Sequence, residues 1–496
     1  RAFEARNDAN YAGLDDPGML KLAGALDSGL AIWLWQAAGG GDSPFRIVWS
    51  NNVAPQTPRE AHEPLAEHFQ GRGLCIWRTG WDTEDVMFSI EAGPYYPVTH
   101  NQADEGHFTL YGLGQRWAID SGYGNNRLPG GRDSTMAHNC ILIDGQGMAP
   151  SGAGAGTSGK IAAYDNDERL GYAAADATEA YNRNNLGQPG AMVQRARRYS
   201  LFVRPSSGMP AYAVVLDDIQ KDDQPREYTW LMHLPDDMRV ELRDDGAIIA
   251  PGSAAAQCFV HTPLDATGRG ETSWTVELPQ AGEYTLWGRV RAVGTELGKS
   301  DSFLVQVDDE KPVDWHMPTV ASWTWGKVTT GPSQQPQTFR LAAGSHTIRI
   351  MTRETGAQLE RMVMTSDPEG KPPFRTEAGN VVLLPEKAAI KPPMALVRTP
   401  ADHTAPRLRL WLTAAVPVKF AVDGYDGHQR LKASATAVSP DFAAVLMPLP
   451  NGVPGPQVGI ERDDGRVRIQ VQHPKRADDI AWPTHGDRRP VLTSSR

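Results

Sequence analysis

The sequence predicts a mainly β protein: a large antiparallel β-sandwich with a short helical piece at its start and an inserted β module. Three observations predict this. Glycine and proline number 49 and 38 among 496 residues, enough to supply many turns. From Gly73 onward short alternating apolar runs recur, among them LCIWRTGW, VMFSIEAG, HFTLYGLG, RWAIDSGY, NCILIDG, YSLFVRP, YAVVLDDI and YTWLMHLP. Gly, Pro, Asn and Asp separate them, as turns separate strands of an antiparallel sheet.

The first 70 residues read as helix. Asp16-Pro17 supplies an N-cap and a first-turn proline, and Met19, Leu22, Ala23, Leu26, Leu30, Trp33 and Leu34 follow at helical spacing until Gly39-Gly40-Gly41. Thr57-Pro58-Arg59-Glu60 carries the residues of a capping box and is expected to open a shorter helix. So much Trp and Leu on so little helix reads as the end of a larger helical domain. Residues 71–251 hold the first strands of the sandwich. Residues 252–370 interrupt the series as an inserted module, residues 371–475 resume it, and residues 476–496 are a polar tail expected to be loosely ordered. The chain opens at Arg1 without a leader, which reads as a removed signal or as the back part of a longer protein, the latter being favoured.

Composition narrows the partners. The net charge of -10, with no long Lys/Arg run, gives no electrostatic footprint for nucleic acid. An acidic polysaccharide stays open, because a local basic cleft can act against the global field. No apolar run approaches the roughly 20 residues of a membrane helix. The three cysteines, Cys75, Cys140 and Cys258, are too dispersed for a zinc knuckle or a disulfide framework.

Residues 100–145 carry the chemistry. His100, Gln102 and Asp104 are expected to alternate along one strand face, with His107 at its turn, while Asp120 and His138 end two further apolar runs. Neighbouring strands lie about 4.8 Å apart, so a Gln, an Asp and a His can converge on one ion. A mixed oxygen and nitrogen set suits Zn, Mn or Ca. The alternative is that these histidines are satisfied core residues and Asp120-Ser121-Gly122 is a plain turn.

The ordered pattern from Trp77-Arg78-Thr79-Gly80-Trp81 resembles the β-sandwich half of the heparinase II/III-like polysaccharide lyases. It continues through His100, Ala103-Asp104, Phe108, Leu110-Tyr111 and Gly114, then Asp120, Gly122-Tyr123, Ser134-Thr135, Ala137-His138-Asn139 and Asp144-Gly145. The resemblance implies a helical α/α toroid ahead of the sandwich, with the active cleft between them, so residues 1–70 would be a remnant of that toroid. The toroid would supply a catalytic Tyr and an Asn or His, and Tyr11 stands in no such motif. The resemblance also implies a catalytic histidine, His100, and a structural metal held by two His and an Asp. Asp120 and His138 match two of those ligands, and Gln102 stands at the third. A carboxamide oxygen is a harder ligand than imidazole, which shifts the expected ion from Zn toward Mn or Ca.

Such a lyase removes the C5 proton of a uronic acid and expels the sugar linked through O4. It needs a base, an acid for the leaving oxygen and groups that neutralise the carboxylate. His100 is the expected base or neutraliser, Tyr123 a second acid/base, and Arg127 and Arg132 candidates for binding substrate carboxylates, with a solvated loop as the alternative for either arginine. The inserted module resembles small jelly-roll carbohydrate-binding modules. Its Trp315, Trp323 and Trp325 would suit sugar stacking, unless two or more of them are core.

The expected protein is thus the C-terminal part of a secreted or periplasmic lyase acting on a uronate polysaccharide such as alginate, a heparan-type glycan or ulvan. Its rivals are a non-catalytic carbohydrate-binding or scaffold protein, a truncated inactive lyase fragment and, last, a glycoside hydrolase.

Overall fold

In the computed structural model, residues 18–37, 53–96, 101–122, 131–152, 154–252, 257–294, 296–321, 323–330, 335–367, 380–399, 405–426, 428–450, 452–463, 465–483 and 489–495 are described. The described chain is predominantly antiparallel sheet. No described helix is long and apolar enough to cross a membrane. Two units separate: residues 1–251, 404–423 and 429–496 form one, and residues 252–403 with 424–428 form the other.

Where one helix is expected, two occur, α1 (Gly18–Leu26) and α2 (Gly29–Ala37). Asp27 breaks the run with a left-handed φ of 50°, and Ser28 Oγ accepts the amide of Ala31 to start the second helix. The capping box at Thr57 forms, with Thr57 N–H to Glu60 Oε2 at 2.8 Å and Glu60 N–H to Thr57 Oγ1 at 3.2 Å. It opens only a turn, because Pro64 disfavours helical backbone at Glu63 and His62 already has φ 55°.

Five short strands then run as a meander: β1 (Ala66–Phe69), β2 (Leu74–Arg78), β3 (Met87–Glu91), β4 (His107–Gly112) and β5 (Gln115–Ala118). The segment expected to continue β4 backwards through Gln102 and Asp104 is a turn, and the strand starts at His107. Next come β6 (Ile141–Ile143), β7 (Lys160–Asn166), β8 (Leu170–Asp176), β9 (Arg195–Val203), β10 (Tyr212–Gln220) and β11 (Arg226–Leu234). Strands β7 to β10 join Phe442–Leu449, Arg407–Thr413, Gly246–Pro251 and Met238–Arg243 in an eight-stranded sheet. Strands β6 and β11 join His428–Ala437 and Lys419–Tyr425 in a four-stranded one.

Strand β10 shows how the layers stack. Ala213 and Val215 face a core shared with Phe88, Phe108, Trp117 and Trp230. Tyr212, Val214 and Leu216 point the other way, against Val467, Ile469, Val471, Ile480 and Trp482. A strand buried on both faces reads as a continuous apolar run. Each fully buried large apolar side chain contributes about 1.5–3 kcal/mol. The tail expected to be loose is therefore partly structural: Arg476–Pro483 and Val491–Ser495 pair as the edge of a four-stranded sheet, and buried Arg476 bonds Asp478 at 2.8 Å.

The second unit is a two-sheet sandwich whose core includes Trp274, Leu286, Phe303, Trp315, Ile348 and Leu359. It extends past the expected boundary at 370, because Val381–Leu383, Ala389–Lys391 and Ala395–Thr399 pair with its strands.

Candidate functional site

Three side chains from separate elements of the first unit meet at one point. His107 opens β4 opposite Glu91 of β3, Asp120 follows β5, and His138 follows a single 3-10 turn, Thr135–Ala137. His138 Nδ1 lies 3.0 Å from Asp120 Oδ2, and His107 Nε2 faces the same oxygen at 3.4 Å. The other carboxylate oxygen accepts the Gly122 amide at 2.6 Å. All three side chains are at most 1% exposed. One donor atom from each lies within 4.8 Å of the others, close enough to share an ion.

Buried neighbours fix this group. Asn139 donates its carboxamide to the carbonyls of Phe108 (2.7 Å) and Ile119 (3.1 Å) and accepts the His233 amide at 2.6 Å. Its own backbone N–H donates to His107 Nδ1 at 2.9 Å. Arg198 is ion-paired with Asp217 at 2.6 Å and donates to the carbonyls of Gly106 and Asn139, tying β9 to both sides of the site. Arg430, paired in bidentate fashion with Asp423, donates to the Met136 carbonyl and steadies the turn before His138.

Acidic groups crowd the same interior. Burial, then the Glu91 charge, pushes the Asp104 carboxyl up to about 7, with His138 and Arg72 opposing. Burial and Asp104 hold Glu105 well above the ordinary carboxylate range, although the Gly93 amide donates to it at 2.7 Å. Arg72 pairs with Glu91 at 2.8 Å. Burial works against a charged His138 ring, but the Asp120 carboxylate, helped by Asp104 and Glu91, outweighs it and raises the imidazole pKa.

Of the expected catalytic and carboxylate-binding residues, His100, Tyr123 and Arg127 lie outside the described residues. Arg132 is half-buried just beyond them. Residues next to His100 are anchored: Asn101 Nδ2 donates to the Tyr96 carbonyl at 3.2 Å, and the Ala103 amide to the Asp133 carbonyl at 2.9 Å. Gln102 is buried, but its amide donates to the Gly122 carbonyl at 3.3 Å. Among His, Cys, Asp and Glu side chains of the described residues, the one that joins Asp120 and His138 is His107, which begins its strand a turn after Gln102. His107 stands in the same sequence block, and both it and Gln102 are buried.

In the second unit Trp315 is fully buried and donates its indole N–H to the Lys327 carbonyl at 3.0 Å, so it is core and presents no face to a sugar. Trp323 and Trp325 are half-buried. The Arg291 guanidinium lies 4.5 Å from the Trp323 ring centre and Phe259 packs edge-on, which occupies part of that ring.

Residues 62–286 match the family model described as heparinase II/III-like, C-terminal. This stretch is thus similar to a heparinase II/III-like C-terminal domain. It contains all three members of the buried group and every element that positions them except the Asp423–Arg430 pair. No curated protein sequence matches the chain. Among solved structures, heparinase III is similar at 12% identity and a TM-score of 0.43, over 99% of this chain and 50% of that one. The heparan sulfate lyase HepC from Pedobacter heparinus is similar at 10% identity and a TM-score of 0.40, over 96% of this chain and 49% of that one. The chain spans about half the length of these structures.

Proposed function

We propose that this chain is part of a polysaccharide lyase that cleaves a uronic-acid-containing glycan, such as alginate, a heparan-type glycan or ulvan, by β-elimination. The observation that carries the reading is the heparinase II/III-like match over residues 62–286, which takes in His100, Tyr123, Arg127 and Arg132 together. In this reading His100 takes the C5 proton or neutralises the adjacent carboxylate. The C5–H electrons form the C4–C5 double bond, the O4 bond breaks, and Tyr123 protonates the leaving oxygen. Arg127 and Arg132 bind carboxylates of the substrate. The His107, Asp120 and His138 side chains are at most 1% exposed, so this reading assigns them no substrate contact. No step runs through Zn, Mn or Ca at that group. A secreted or periplasmic location goes with a polymeric extracellular substrate.

The test is ultraviolet absorbance of the unsaturated uronate product, with the chain incubated on a panel of uronic polysaccharides and His100→Ala as control. A rise that vanishes in the variant supports the lyase. Folded protein that produces no rise on any substrate overturns it for this chain.

A second reading, glycan binding without cleavage, is favoured by one observation. A cavity of about 540 Å³ between α2 and the far ends of β2 to β5 is lined by Trp33, Trp81 and Tyr111 with Arg78 and Arg116. That volume and the mix of aromatic and polar groups suit a sugar. Retained glycan affinity without product, lost in Trp81→Ala, would favour this reading.

A further inference from the structure

The buried group in the heparinase-like domain has the spacing of a metal site, but its protons are arranged otherwise. A histidine that ligates a metal offers the lone pair of one ring nitrogen and donates the N–H of the other to an oxygen acceptor. His107 faces Asp120 through Nε2, so Nδ1 would have to be the donor. Nδ1 instead receives the backbone N–H of Asn139 at 2.9 Å, and a backbone N–H can only donate. With that bond in place, neutral His107 carries its proton on Nε2, pointed at the Asp120 carboxylate. Binding an ion through Nε2 would then require a doubly deprotonated imidazolate. Asn139 is not free to turn away, because its side chain is held by three buried hydrogen bonds.

His138 points the same way. Nδ1 is the nitrogen beside Asp120 Oδ2, and an ion there would leave the proton on Nε2. That nitrogen is buried, with no hydrogen-bond acceptor among the described residues. A buried donor without an acceptor is disfavoured. With no ion, Nδ1–H donates to Asp120 and only a lone pair is left at Nε2.

We infer that the His107–Asp120–His138 group is a metal-independent staple, with His107 locked in the Nε2–H tautomer by the Asn139 amide and its Nε2 facing Asp120 Oδ2 at 3.4 Å without a hydrogen bond, while His138 supplies the hydrogen bond to that carboxylate. Asp120 is the hub, taking the Gly122 amide on one oxygen and the His138 ring on the other, with the His107 ring 3.4 Å from that second oxygen. The staple joins the start of β4, the end of β5 and the turn before His138 without a cation.

The test does not depend on lyase activity, so it can fail while that reading stands, and the reverse. Purified chain is analysed for metal, stripped with EDTA and titrated with Zn²⁺, Mn²⁺ or Ca²⁺ while thermal unfolding is followed. The expected result is no stoichiometric metal and no change in Tm on stripping or titration. One equivalent of retained metal, or a Tm that falls with EDTA and returns with one of these ions in wild type but not in His138→Ala, overturns the inference. Nitrogen-15 NMR on histidine-labelled chain reads the tautomer directly, with the His107 signals assigned by their loss in His107→Gln. Nδ1 unprotonated and Nε2 protonated supports the staple, and the opposite pattern refutes it. His107→Gln is itself informative, because a glutamine amide can still donate toward Asp120. The staple expects a Tm loss that is the same with and without added metal, because the Asn139 amide loses its Nδ1 acceptor either way, whereas a gap from wild type that appears only when metal is supplied fits a cation site and overturns the staple.

Discussion

Asn139 is the residue whose removal should damage the site most per atom lost. Truncation to Ala removes the donors to the Phe108 and Ile119 carbonyls and leaves the His233 amide without its 2.6 Å acceptor. A net hydrogen bond is worth about 1 kcal/mol, and a buried group left unpaired costs roughly 1–3 kcal/mol more. Asn139→Ala should therefore destabilise the first unit by about 3–5 kcal/mol. The backbone N–H survives the change, so the His107 tautomer should persist in whatever fraction stays folded. Asn139→Asp should be no better: it keeps an acceptor for His233 but loses both donations and adds a carboxylate near Asp120. The assay is chemical denaturation followed by tryptophan fluorescence, since Trp77, Trp117 and Trp230 share the core of this unit. The second unit has tryptophans of its own, so its transition must be resolved separately. A loss below about 1 kcal/mol for Asn139→Ala would refute the reasoning, because one unpaired buried amide alone should cost that much.

Three further outcomes are expected. The Asp104 carboxyl is raised from 3.8 to about 7, so its protonated form contributes stability that is complete below pH 3.8 and lost as pH rises through about 7. Tm should fall across that window, and Asp104→Asn should flatten the fall; an unchanged Tm profile in the variant would contradict this. Arg198→Met leaves Asp217 buried and uncompensated and should cost about 3–5 kcal/mol, measured by denaturation, with Arg198→Lys recovering little because it cannot make the bidentate pair and both carbonyl contacts. Trp315→Ala should cost about 3–5 kcal/mol in the second unit, whereas Trp323→Ala should change Tm much less and alter mobility in glycan-affinity gels if that ring meets sugar.

What could be read from sequence and what could not divides along the range of the forces involved. Alternation and turn residues located most strands of the meander and of β9 to β11, because those signals act between neighbours in the chain. The tail differs from its expected looseness for the opposite reason. Arg476 and Asp478 look like surface residues, and only the pairing of Arg476–Pro483 with Arg466–His473 buries them together and turns Trp482 into core. The site shows the same division at finer scale. The concentration of His, Gln and Asp between residues 100 and 138 marked the right block, since so many polar groups among apolar runs need partners. Placing His107 beside Asp120 and His138 required knowing that the amides of Ala103 and Gly106 bond to the carbonyls of Asp133 and Glu91, which holds residues 101–106 out of the sheet and starts β4 at His107. A shift in where a strand begins reassigns every inward side chain that follows. The tautomer of His107 depends on the single backbone amide of Asn139, a group every residue but proline carries, and so no side-chain pattern could have announced it.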